Sequence, residues 1–529
     1  MAHEADYEAF IRAIGESDCR TVEECLTSPA ANPAFAATNP PGAKFYSDCA
    51  DLPFSLRAYF AWRTGLPFSF SIRLAGHPPT GKSPPGQTGH QVTERHDVVG
   101  PGPDYRQLMK AISDYVTSNH FRVPAHYRGT VLPDHYPVRL DRDSIRAGAV
   151  IYDPDGHVAV VYKVSDDGRI HYIDAHPDNS LTRGVYGRDF VRTPPDIGAG
   201  FKRWRPQRLI GATAAADGTL VGGRVELAAD SALADWSDEQ FIPLAARSTR
   251  PEPAARTRIN RRDQPRAPGR ARPEAQYFVD GQTVDYYDFL RLRLAPKGFR
   301  YDPLAETRSM IRHLCDGLRD RVHAVERAIE AGLAQRPQPP RLPPNIYATN
   351  GDWELYSTPS RDARLKVSFE ELRDEVERFL ELTAAASPVV AYQGVDLARD
   401  LSQIYAEQAA LCPITYRRSD GSTQRLAFDE VRQRLFLMSF DPHHCAERRW
   451  GASEPAELAT CRDDATKQAW YVAQGRLRNQ LVRTYGAPMG WSLPELFDPK
   501  RDIGHDDPPD IDVTAVLKSA SGVTTARAP

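Results

Sequence analysis

The chain has 529 residues and a formal net charge of −3, enough for two or three domains with sizeable cores and without the global basic excess that would indicate nucleic acid. No run approaches the ~18 consecutive apolar residues a membrane helix needs, so no transmembrane segment is expected. The start, Met1 to Glu8, is polar and acidic, and Phe10 to Ile14 is too short for the apolar part of a signal peptide.

In chain order, the first informative element is the segment Phe45-Tyr46-Ser47-Asp48-Cys49-Ala50-Asp51-Leu52. Leu52, Leu56, Tyr59 and Phe60 recur at helical period, Gly65 and Pro67 stop the pattern, and Pro53 places the start near Asp51. Asp48 or Asp51 can cap it. Cys49 then lies on or just before the first turn, where unpaired N–H groups and the helix dipole favour an anion. With a neighbouring imidazole, its thiolate should form well below the free pKa of about 8.5. A Pro/Gly-rich insertion follows from His77 to Pro103.

A hairpin comes next. Val158 to Val164 is rich in β-branched residues, Ser165-Asp166-Asp167-Gly168 is a turn, and Arg169 to Asp174 is a second strand. A two- or four-residue loop puts His157 on one face with Ala159, Val161, Tyr172, Asp174 and His176, and His171 on the other; a one-residue bulge would reverse this. Asp174 or, alternatively, His176 can therefore hold the His157 ring. For an oxyanion, the Cys49 backbone N–H is the natural donor and Tyr46 a side-chain partner.

Asp48-Cys49 before an apolar helix, then Gly156-His157-Val158-Ala159-Val160-Val161, then a strand ending in a polar residue, resembles the NlpC/P60 and CHAP families of bacterial cysteine hydrolases. Ile145 to Ile151 is similar to the strand preceding their histidine, and Gly200 to Pro206 to a closing strand. The chain departs in having Ala50-Asp51 where the families usually have Ser-Gly, and in its long Cys-to-His interval. The resemblance covers roughly residues 40 to 210. It implies a papain-like domain with the cysteine helix on an antiparallel sheet, an α+β fold, and cleavage of amide bonds in peptidoglycan stem peptides without metal or cofactor. It also implies Cys49 as nucleophile, His157 as base and Asp174 as orienting residue. Two other functions are open: a catalytically silent scaffold acting in envelope binding or assembly, and transglutaminase-like acyl transfer.

The expected division is a hydrolase domain over 1–210, a flexible linker over 211–274, a mostly helical domain over 275–498 and a disordered tail over 499–529. The linker is Ala/Gly-rich at first; from Arg247 to Pro273 it carries nine arginines against Glu252 and Asp263, a solvated spacer or a tether for an anionic polymer. Beyond it, Tyr286–Leu294, Ala305–Leu333, Ser368–Thr383, Gly394–Leu411 and Thr466–Tyr485 have helical period, with a hairpin around Ser419-Asp420-Gly421. Asp441-Pro442-His443-His444-Cys445 lacks common zinc spacing and reads as a loop or disulfide; Asn350 to Tyr356 reads as an ordinary turn. Of seven cysteines, setting Cys49 aside leaves Cys19 with Cys25, Cys315 with Cys412, and Cys445 with Cys461 as the preferred pairs. That favours a periplasmic or secreted protein over a cytoplasmic one. Oligomeric state is not legible.

Overall fold

The computed structural model describes residues 2–75, 89–99, 105–154, 157–188, 190, 192–216, 220–241, 277–279, 282–347, 351–481, 489–501 and 503–525. It forms two compact units, Met1–Lys297 and Gly298–Pro529. The fold is mixed α and β with antiparallel sheets.

The first unit is built on a six-stranded antiparallel sheet of order β3-β8-β4-β5-β6-β7: His135–Pro137, Gly200–Trp204, Val150–Asp153, His157–Val164, Ile170–Ala175 and Leu181–Val185. One face packs Val150, Tyr152, Val158, Val160 and Ile173 against helices α1 (Ala2–Glu16) and α3 (Asp51–Thr64). The other packs Ile151, Ala159, Val161, Tyr172 and Phe201 with Tyr286, Leu290 and Leu294 of α5 (Tyr286–Leu294). Burial on both faces explains why β4 and β5 read as unbroken apolar runs rather than alternating ones.

Helix α3 begins at Asp51 and ends at Gly65, whose left-handed φ of 68° closes it. The insertion contains order that its composition does not announce: Val92–Val98 (β2) pairs antiparallel with Phe68–Leu74 (β1). The β5–β6 loop has three residues, because Ser165 N–H donates to Arg169 O at 2.9 Å and Val164 pairs with Ile170. A bulge at Tyr162 then shifts the register by one, so that Val161 faces Tyr172 and Val160 faces Ile173. The two irregularities cancel, leaving the expected face assignment at the His157 end.

The expected linker and tail need correction. Residues 207–210 pair with 224–227, and 213–214 with 220–221. Leu233, Phe241 and Gln240 are buried, the last accepting from Phe201 N–H at 2.7 Å and donating to Phe201 O at 2.9 Å. The first unit therefore continues through 241, and α5, expected in the helical half, belongs to it. The basic stretch Arg247 to Pro273, with its anionic-polymer reading, lies outside the described residues.

The second unit is largely helical, with α6 (Pro303–Glu330), α8 (Pro359–Ala384) and α9 (Leu397–Ala410) around one apolar core and a hairpin of Ile414–Arg417 with Thr423–Leu426. The tail is a helix, Val513–Thr525, whose approach and first turns bury Ile511, Val513 and Leu517 in that core. Asp/Pro-rich residues before it masked this short apolar series. Disulfides join Cys19 to Cys25, Cys315 to Cys412 and Cys445 to Cys461. No described helix is long and apolar enough to cross a membrane.

Candidate active site

Cys49 is the cysteine that forms no disulfide, half-buried immediately before α3. Asp48 forms the local turn: its Oδ1 accepts from Ala50 N–H at 2.8 Å and Asp51 N–H at 2.9 Å. Its carboxylate thus takes the anionic position at the helix N-terminus that the thiolate was expected to take. The Val158 backbone N–H donates toward the Cys49 sulfur, placing the sulfur beside the start of β5, one residue after His157.

The consequence for the thiol corrects the expectation. Burial of the sulfur and the negative charge of Asp48 push its pKa well above the usual value; the Val158 N–H opposes them, and Asp174 and Asp51 add to the rise. Asp51, itself 4% exposed, is raised well above the carboxylate range by burial and by Asp48. The resting site is a thiol among carboxyl groups.

His157 opens β5. Its Nε2 lies 2.6 Å from Asp174 Oδ2, with both side chains buried. Asp174 is wholly enclosed and accepts a second bond, at Oδ1, from the Thr182 hydroxyl. A carboxylate can only accept, so Nε2 carries the proton and Nδ1 is the basic ring nitrogen. Position 182 stands opposite Asp174 in the β6–β7 ladder; its role escapes sequence analysis because β7 was not assigned as a strand.

Of the two expected partners, Asp174 makes the bond. His176 Nε2 is 3.8 Å from Asp174 Oδ2, beyond hydrogen-bond reach, and donates instead to Thr182 Oγ1 at 3.1 Å. Its ring stacks on that of His157 with centroids 6.2 Å apart. The Tyr46 hydroxyl donates to Pro177 O at 2.6 Å, which commits its single hydrogen and leaves none for an oxyanion.

In the second unit, the Asp441 to Cys445 segment is held by its own bonds. His443 Nδ1 bonds Asp441 at 3.0 Å, His444 bonds Ser439 Oγ at 2.6 Å and Lys467 O at 3.1 Å, and Cys445 is in a disulfide. Trp353 packs its ring on His443. Comparison with protein-family models, curated proteins and solved structures finds no match to this chain.

Proposed function

We propose that the protein is a cysteine hydrolase of papain-like type, acting on amide bonds through Cys49, His157 and Asp174, with peptidoglycan stem peptides as the leading substrate. The observation that carries this reading is the buried 2.6 Å contact of His157 Nε2 with Asp174, in the same part of the first unit as Cys49, the one cysteine outside the three disulfides. Buried carboxylates are costly unless bonded, and this one is spent on orienting an imidazole. Three disulfides support function in an oxidising compartment.

In this reading the Cys49 sulfur attacks the amide carbonyl carbon while its proton passes to His157 Nδ1. The proton then goes to the leaving amine as the C–N bond breaks, and water attacks the resulting thioester with His157 again as base. Asp174 keeps the ring in the tautomer this needs. The elevated thiol pKa suits proton transfer during attack rather than a standing thiolate.

The same elevated pKa favours the second reading, a silent scaffold. The experiment that separates them is release of new amine termini from purified peptidoglycan stem peptides and sacculi by the full-length protein. Release that disappears in Cys49→Ala supports the hydrolase. No release from any amide substrate, or equal release by Cys49→Ala, overturns it.

A further inference from the structure

Asn179 lies in the tight turn between β6 and β7, where His176 N–H donates to Ser180 O at 2.9 Å and Asn179 N–H to His176 O at 2.8 Å. Its φ of 64° is left-handed, a region costly for most residues but best tolerated, after glycine, by asparagine and aspartate. The side chain spans to the segment before Cys49. Oδ1 accepts from Ser47 N–H at 3.3 Å and Nδ2 donates to Phe45 O at 3.2 Å. These two bonds imitate one rung of a strand pair on the chain leading to the thiol.

The backbone around Asn179 is anchored on its other side. Asn179 O accepts from Val22 N–H at 3.2 Å, Leu181 N–H donates to Arg20 O at 2.7 Å, and Thr21 bridges Ser180. Arg20, Thr21 and Val22 lie within the loop closed by Cys19–Cys25. The hairpin tip is therefore tied to a cross-linked loop, while its legs supply Asp174, which bonds His157, and Thr182, which bonds Asp174. One hairpin holds both partners of the cysteine–histidine pair.

We propose that Asn179 is a positioning residue that fixes the Cys49 segment in register with His157. This rests on the reading of Cys49 as nucleophile. Asn179 touches neither the thiol nor the imidazole; it acts through the backbone at Phe45 and Ser47. An aliphatic residue there would lose both bonds, and alanine would add strain at positive φ.

The test uses full-length protein, iodoacetamide as probe of Cys49, and alkylation rates across pH measured by mass spectrometry for wild type, His157→Ala and Asn179→Gly. Glycine keeps the backbone conformation and removes only the side-chain bonds. The expected result is a thermal midpoint for Asn179→Gly within about 3 °C of wild type, with its pH profile moved onto that of His157→Ala. Turnover of an amide substrate falls on the order of 10²-fold. Asn179→Asp, which keeps an acceptor for Ser47 N–H and loses the donor to Phe45 O, should move the profile in the same direction and serves if the glycine variant does not fold. A folded variant with the wild-type profile overturns the positioning role alone. Coincident profiles for wild type and His157→Ala remove the cysteine–histidine pair itself, and the role of Asn179 with it.

Discussion

Asp48 accepts the Asp51 N–H at 2.9 Å, so a carboxylate rather than the Cys49 thiolate caps the start of α3. A helix N-terminus lowers the pKa of a thiol only if the thiolate is the anion that occupies it. Here a carboxylate occupies it first, one residue away, and the thiol is raised by the burial and charge around it.

Replacing that carboxylate should weaken the effect, while burial of the sulfur still holds the thiol up. Asn retains the capping geometry at small cost. Asp48→Asn is therefore expected to fold normally and to lower the midpoint of Cys49 alkylation, so that labelling at pH 7 is several-fold faster than in wild type. Iodoacetamide labelling of both proteins checks this. Wild type should label slowly at neutral pH; rapid labelling below pH 7 would contradict the role given to Asp48.

Asp174→Asn should separate orientation from nucleophilicity. It replaces an acceptor for His157 Nε2–H and the Thr182 hydroxyl with an amide that supplies one acceptor oxygen. Turnover is expected to fall on the order of 10³-fold or more, because the wrong tautomer is favoured. Alkylation of Cys49 at alkaline pH, where hydroxide rather than the imidazole removes the thiol proton, should stay near wild type. Parallel measurement of turnover and alkaline labelling tests the split.

The site was more legible than its surroundings, for reasons specific residues show. Cys49, His157 and Asp174 follow from local pattern: a helix start fixed by Pro53, and a period-two strand pair. The face assignment survived because the three-residue loop and the bulge at Tyr162 offset each other, and neither was visible beforehand. Thr182 and Asn179 were hidden because their roles depend on pairing between β6 and β7 and on a turn conformation. The segment from Ala212 was misjudged from its small residues, although Leu227, Leu233 and Phe241 find apolar partners only in the tertiary structure.

Disulfide removal should be graded by loop length. The bridges close separations of 6, 16 and 97 residues. Chain-entropy reasoning gives losses of about 2, 3 and 5 kcal/mol for Cys19–Cys25, Cys445–Cys461 and Cys315–Cys412. Denaturant unfolding of the three paired Cys→Ser variants checks the order. A larger loss at Cys19–Cys25 than at Cys315–Cys412 would mean that its loop contributes native contacts beyond entropy.

Acid should destabilise both units. In the second, burial holds His444 neutral, with its pKa down to about 4, Asp441 opposing and Arg478 and Arg449 reinforcing the shift. In the first, burial brings His135 down to about 3, with Asp134 opposing and Lys202, Arg95 and Arg205 reinforcing. The unfolded chain binds these protons near pH 6.5 and the folded chain does not. Stability is therefore full above about pH 6.5 and falls as pH drops toward 4, by up to roughly 3 kcal/mol for each histidine. Calorimetry at pH 7, 6, 5 and 4 should show a falling midpoint; a flat one contradicts the neutral buried rings.

The boundary of the first unit gives the last prediction. A fragment ending near Leu209 contains every proposed catalytic residue but strips α5 from the sheet. Tyr286, Leu290 and Leu294 are at most 2% exposed and cover the face formed by Ile151, Ala159, Val161, Tyr172 and Phe201. Losing three such side chains forfeits on the order of 5 kcal/mol or more, comparable to the whole stability of a domain. Gln240, which bonds Phe201 on both its backbone groups, is lost as well. A fragment ending at Lys297 retains all of them. It is expected to unfold cooperatively and to show the wild-type pH profile of Cys49 alkylation, whereas the fragment ending at Leu209 should be unfolded or aggregated. Circular dichroism melting of the two fragments decides it: a stable, cooperative fold for the shorter one would mean that α5 is an accessory of the sheet rather than half of its core.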